Sequence, residues 1–222
     1  MDNSNLISIF TNIALVINLM SCILFAYSRL FRVKKAIPFG IYLFVAFAVN
    51  LTANILGKNG VNNMPLLHFF TFVEFGLLSL FYLRINELDK GGQRIMKYII
   101  VIAASLILLN SIFVQNIYTF NSYSKTIANL VLLSFSIWHF YIMSKREAGL
   151  EMIDKSILII NAGLLIYFSS SLFIFMTGDL LNLTSKVTYT LWTLNSLLYL
   201  IFQIVVLVSL WKIAYPRIRY SP

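Results

Sequence analysis

Seven apolar runs of about twenty residues fill almost the whole chain, and a run of that length has few ways to fold. A helix rising about 1.5 Å per residue crosses a hydrocarbon core of roughly 30 Å in some twenty residues. Lipid offers no partner to backbone N–H and C=O groups, so each run must satisfy them internally as a helix. The runs cover 5–27, 37–57, 66–83, 97–115, 124–144, 156–177 and 188–211. The connections are about 8 to 13 residues long, too short for a folded soluble unit. The sequence therefore predicts an all-α, polytopic membrane protein, a seven-transmembrane-helix bundle forming one membrane domain over residues 1–222. Composition agrees, because only 11% of residues are charged and 59% are hydrophobic, against about 25% charged in soluble domains.

Basic residues set the expected orientation, since Lys and Arg beside short loops are retained in the cytoplasm. Fourteen of the seventeen lie in the first, third and fifth connections and the tail; the other side holds Lys58, Lys125 and Lys186. This predicts the N-terminus outside, the C-terminus cytoplasmic and a multi-pass protein of the cell membrane, in keeping with a bacterial inner membrane. Asp2 stands where a signal peptide would be basic, so the first run is expected to be a retained helix. The net charge of +9 is thereby explained by topology and attraction to the lipid bilayer, and no nucleic-acid partner is expected. Pro38 and Pro65 fall at span starts, where a missing N–H costs nothing, and Pro216 and Pro222 fall in the tail. Unbroken helices are expected.

The first three and last three spans cross in the same sense and show faint correspondence. A shift of 114 places Ile13, Ala14, Leu19, Ile23 and Tyr27 on Ile127, Ala128, Leu133, Ile137 and Tyr141, and a shift of 121 places Gly57 on Gly178 and Glu74 on Asn195. A three-plus-one-plus-three parallel repeat would leave such a trace. By helix count alone the layout resembles that of sugar-transporting PQ-loop proteins and of opsins, but the chain has no PQ dipeptide. Its last span has no lysine for a retinal Schiff base, since Lys186 and Lys212 lie outside it.

Chemistry-bearing motifs are absent. There is no P-loop, HExxH or nucleophile elbow, every Asp lies outside the spans, and one Cys and two His offer no metal spacing. No enzymatic activity and no cofactor are expected. Cys22 reads as packing. The sequon Asn182-Leu183-Thr184 matters only in a eukaryotic source.

The sharpest signal is Glu74, the one charged residue well inside a span by this division. An acid in hydrocarbon is costly, faces the bundle interior or a wet cavity, and commonly marks a site. It sits about 12 Å below the outer boundary; Asn12, Asn50, Ser170 and Asn195 sit at roughly 10 Å, and Asn110 and Asn129 at roughly 8 Å. Helical spacing puts Thr71 and Phe70 on the face of Glu74, and Trp192, Asn195 and Tyr199 on one stripe of the last span. The expected ligand-binding set is Glu74, Asn50, Asn195, Trp192, Tyr199, Thr71, Ser170 and Asn12, with asparagine as interhelical glue the competing reading. His68 is expected at the outer interface, and His139 in an aromatic belt with Trp138 and Tyr141. Below this layer polar residues are scattered, among them Asn18, Ser79, Ser105, Ser134, Ser136, Asn161 and Gln203.

Three functions stay open: a receptor or sensor-like module that binds a small-molecule ligand from outside and signals through a cytoplasmic protein partner; a small-solute or proton-coupled transporter using Glu74; and an assembly subunit whose Glu74 pairs with another chain.

Overall fold

A computed structural model describes residues 3–146, 151–180 and 185–219. Those residues form seven helices long and apolar enough to cross a membrane and no strand. They are α1 (Asn3–Tyr27), α2 (Ile37–Lys58), α3 (Met64–Ile85), α4 (Lys90–Leu109), α5 (Ser122–Ser144), α6 (Met152–Leu180) and α7 (Ser185–Arg219). The chain is a multi-pass membrane protein. The sequon at Asn182, Gly178's side of the repeat register, and the charged side chains of Lys186, Arg217 and Arg219 lie outside what is described.

Local signals set the helix ends. Pro38 and Pro65 occupy the first turns of α2 and α3, where their fixed φ and missing donor suit a helix start. Asp89 caps α4, its Oδ1 accepting from the Gly92 N–H at 2.9 Å, the ordinary N-cap geometry. The fourth span does not run evenly to its end, because Asn110–Val114 widens into a π-helical turn closed by the Gln115 N–H to the Asn110 carbonyl at 2.8 Å.

Packing closes a ring. α1 meets α2 and α7, α2 meets α3, α3 meets α5, α5 meets α6 and α6 meets α7, while α4 lies outside against α3 and α5 alone. Large apolar side chains such as Val16, Phe69, Ile102, Phe113 and Leu130 are exposed on the outer surface, where bilayer contact replaces water. The ring is filled at its middle by Phe39, Tyr42, Phe75, Phe81, Tyr82, Phe168 and Phe202, all buried. Gly40 permits one tight approach, because a Cβ there would lie 2.1 Å from the ring of buried Phe25 on α1.

Asparagines bridge helices within this core. Asn161 Oδ1 accepts from Tyr82 Oη at 2.8 Å and Ser136 Oγ at 2.9 Å, and Asn161 Nδ2 donates to the Ser136 carbonyl at 3.1 Å, tying α3, α5 and α6. Of the polar residues expected in this half, Asn18, Ser79, Ser136, Asn161 and Gln203 are fully buried, whereas Ser105 and Ser134 face outward. His139 departs from expectation. It is buried and its Nδ1 lies 2.8 Å from Asn86 Oδ1, so it belongs to the core; its neighbours Trp138 and Tyr141 do form an exposed aromatic pair, 5.3 Å between centroids.

At the end rich in basic residues, three connections are clamped together. Lys35 pairs with Glu87 at 3.4 Å and Asp154 at 2.8 Å, and Arg146 pairs with the same two acids at 2.8 and 3.2 Å. Glu87 adopts φ +44°, a left-handed conformation that costs a non-glycine residue about 1 to 2 kcal/mol and that places its carboxylate between both cations. Burial by itself lowers the Lys35 pKa, but the Asp154 hydrogen bond and the charges of Asp154 and Glu87 together outweigh it and raise it above 10.5. A folded value above the unfolded one means the stabilisation is complete below the unfolded pKa and lost as pH rises through the folded one.

Two outcomes follow from this packing. Gly40→Ala is expected to lower stability by about 1 to 3 kcal/mol through overpacking against Phe25, whereas Gly76→Ala, with open space around its Cβ, is expected to be neutral or mildly stabilising; thermal unfolding in nanodiscs compares them. The stability difference between the parent chain and Lys35→Met is expected to hold steady from neutral pH to about 10 and to shrink above the ordinary lysine value, which melts at stepped pH would reveal.

Candidate functional site

Opposite the basic end, the halves of α1, α2, α3, α6 and α7 surround a cavity of about 190 Å³. Five of the expected residues line it: Glu74, Asn50, Asn195, Trp192 and Tyr199. The other three do not. Asn12 is exposed on α1 and links helices by accepting from Asn54 Nδ2 at 2.9 Å. Ser170 turns its hydroxyl back to the Ile166 carbonyl at 2.8 Å, while its neighbour Ser171 is the buried serine of that run and accepts from Asn129 Nδ2 at 3.1 Å. Thr71 shares the face of Glu74 but is occupied by structure, donating to the Leu67 carbonyl at 3.0 Å and accepting from Asn121 Nδ2 at 2.6 Å.

The main correction concerns charge. Lys125, assigned by the loop count to the exterior, is the fourth residue of α5 and is buried, and its ammonium donates to Glu74 Oε2. The acid is therefore an ion pair inside its own chain, neither a lone proton carrier nor a group awaiting another chain. Tyr42, Tyr167 and Tyr199 stand around the same carboxylate. The Tyr199 hydroxyl accepts from Asn50 Nδ2 at 3.1 Å and, more weakly, from Asn18 Nδ2 at 3.4 Å. Asn195 Oδ1 is buried with no hydrogen-bond partner among the described residues, and the Tyr42 hydroxyl lies beside the Glu74 carboxylate. A buried polar atom left without a partner costs about 1 to 3 kcal/mol, so Asn195, on the cavity wall, is where a ligand or water would gain most by binding.

A second polar cluster holds Lys125 inward. At the π-turn, Asn110 Nδ2 donates to Ser124 Oγ at 2.8 Å and Gln115 Oε1 at 2.9 Å, and Gln115 Nε2 donates to Ser122 Oγ at 2.9 Å. His68, expected at the interface, is buried instead, its ring nitrogens 3.2 Å from Ser111 Oγ and 3.1 Å from the Thr119 carbonyl. These bonds seat the α4–α5 connection on α3 and bring Phe120 against Phe175 and Trp192, with centroids 4.8 and 5.0 Å apart. Of these three rings Trp192 reaches the cavity wall, and the other two back it where α6, α7 and this connection meet.

Sequence reasoning missed Lys125, Tyr42 and Phe120. The pairing demand of a buried acid was a usable signal for the first, since that side offered only Lys58, Lys125 and Lys186. Nothing local marked the other two. Among the described residues no group of His, Cys, Asp and Glu is arranged to hold a metal. No known family, curated protein or solved structure matches the chain, so its chemistry is read from this geometry.

A double-substitution cycle tests the pair. Glu74→Gln strands a buried ammonium and Lys125→Met a buried carboxylate, and each is expected to cost about 3 to 5 kcal/mol. The double variant is expected to be more stable than the summed losses imply by at least about 1 kcal/mol, measured by denaturation in mixed micelles. Additive losses would mean the two charges do not interact.

Proposed function

We propose that the chain is a non-enzymatic receptor or sensor-like membrane module that binds a small polar molecule beside Glu74. Its entry side is the end carrying the α2–α3 and α4–α5 connections, which the basic-residue asymmetry assigns to the outside of a bacterial inner membrane. The observation that carries this reading is a small cavity with aromatic walls and a few placed polar groups, the usual composition of ligand sites. The open position beside Asn195 supplies a directional contact. A small amine or zwitterion suits the site best, since its ammonium would compete with Lys125 for Glu74. Below the cavity the plug of Phe39, Phe75, Phe81, Phe168 and Phe202 favours binding without passage. Displacing Lys125 would disturb the start of α5, whose far end adjoins the Arg146 ion pairs, a route to a separate cytoplasmic partner.

Transport stays a second reading because one observation favours it. The Ser79 hydroxyl is buried without a partner beneath the cavity, as a wetted path would leave it. The assembly-subunit reading loses its premise, since Glu74 already has its counter-ion in Lys125.

The test is a thermal-shift panel of methylammonium, tetramethylammonium, glycine and glycine betaine on the purified protein in nanodiscs, followed by flux of any hit in proteoliposomes. A saturable gain, about 2.7 kcal/mol at a hundredfold excess over Kd, that disappears in Asn195→Leu and comes without flux supports the receptor. Flux abolished by Glu74→Gln supports transport. No stabilisation by any probe counts against a site for small amines or zwitterions.

A further inference from the structure

Two grooves at the basic end flank one helix and share its residues. The groove between α1 and α7, about 430 Å³, is lined by Met20, Ile23, Leu207 and Val208 and ends at Trp211 and Lys212. The groove between α6 and α7, about 520 Å³, is lined by Met152, Ile159 and Tyr215 and also by Lys155, Trp211 and Lys212. Both open on the outer, lipid-facing surface, where Ile23, Met152, Val208, Trp211 and Tyr215 are exposed.

Charge at their junction is unbalanced. Lys155 and Lys212 are exposed and have no ion-pair partner among the described residues, while Asp154, adjacent in sequence, is already held by Lys35 and Arg146. Glu151 forms no ion pair among the described residues. Trp211 and Tyr215 lie 6.1 Å apart, centroid to centroid, at the level where amphipathic rings favour the headgroup region. An apolar slot on each side of α7 with two free ammonium groups above it matches a molecule with two hydrocarbon chains and one anionic head. Basic pockets between helix ends on the cytoplasmic side are the chemistry that holds such heads.

We infer that α7 carries a specific site for a two-chain anionic phospholipid, its phosphate held by Lys155 and Lys212 and one acyl chain lying in each groove. The site is independent of the Glu74 cavity, which lies at the opposite end of the bundle. General attraction of basic loops to anionic membranes would be spread over every lysine at this end, whereas this site depends on two.

The experiment titrates dioleoylphosphatidylglycerol and dioleoylphosphatidylcholine onto the detergent-purified chain and counts bound lipid by native mass spectrometry. The anionic lipid is expected to bind about tenfold tighter. Lys155→Gln/Lys212→Gln should abolish that preference, whereas Lys90→Gln/Lys97→Gln, at the same end but outside both grooves, should leave it intact. Val208→Trp, which fills one groove at an exposed position, should weaken phosphatidylglycerol and spare one-chain lysophosphatidylglycerol. Equal affinity for both lipids, or equal loss in both lysine variants, would overturn the site. Binding of glycerol-3-phosphate as tight as the lipid would reduce it to a phosphate contact and overturn the two-chain assignment.

Discussion

The ion pair between Glu74 and Lys125 constrains everything at its end of the bundle. Neither charge is tolerable alone among hydrocarbon side chains, since desolvation is costly and only a well-placed counter-charge offsets it. The pair therefore fixes the approach of α3 to α5, the inward turn of the α5 start, and the polar loop that caps it. It also makes the cavity wall electrically neutral. A ligand recognised there must work by exchanging partners with Lys125 or by using the polar atoms that the pair leaves over, and simple attraction of a cation to a free carboxylate is not the chemistry on offer.

The two halves of the ring solve different problems. Toward the basic end, asparagine knots and stacked aromatic rings join the helices, and the four-membered ring of ion pairs locks three connections. Each exposed pair in that ring contributes little by itself, yet Glu87 is held in a costly backbone conformation to complete it. Toward the other end the core gives way to a chamber lined by Glu74 and the unsatisfied Asn195. Local stability is lowest where packing is least complete, so the upper half is expected to open more readily than the lower.

How much of this was legible in the sequence varies with the physics involved. Span number and ends follow from the bilayer's thickness, which acts on every run alike, and all seven helices stand where the apolar runs predict. Five site residues followed from depth and spacing. Asn12 and Ser170 share that depth but point elsewhere, because depth along a helix does not fix rotation about its axis, and α1 and α6 turn those positions away from the chamber. Lys125 was counted as exterior because it stands second in its apolar run, where a lysine ordinarily reaches out to the interface, whereas a partner on another helix draws that charge inward. His68 and His139 looked interfacial for the same reason: their partners, the Thr119 carbonyl and Asn86, are 51 and 53 residues away and leave no local trace.

The position of α4 shows why the bundle has a helix that the ring does not need. It touches only α3 and α5, and the ring would close without it. Its last turn, however, widens into the π-helix that carries Asn110 and Ser111, and such turns commonly serve functional sites because they redirect side chains without breaking the helix. Asn110 and Ser111 reach Ser124, one residue before Lys125, and the connection that follows delivers Asn121 to Thr71 and Phe120 to Trp192. The outlying helix is thus a strap whose tension falls on the two features that define the chamber, the inward lysine and the aromatic wall. A ring without it would keep the acid and the tyrosines but would lose the contacts that hold the counter-ion beneath the surface.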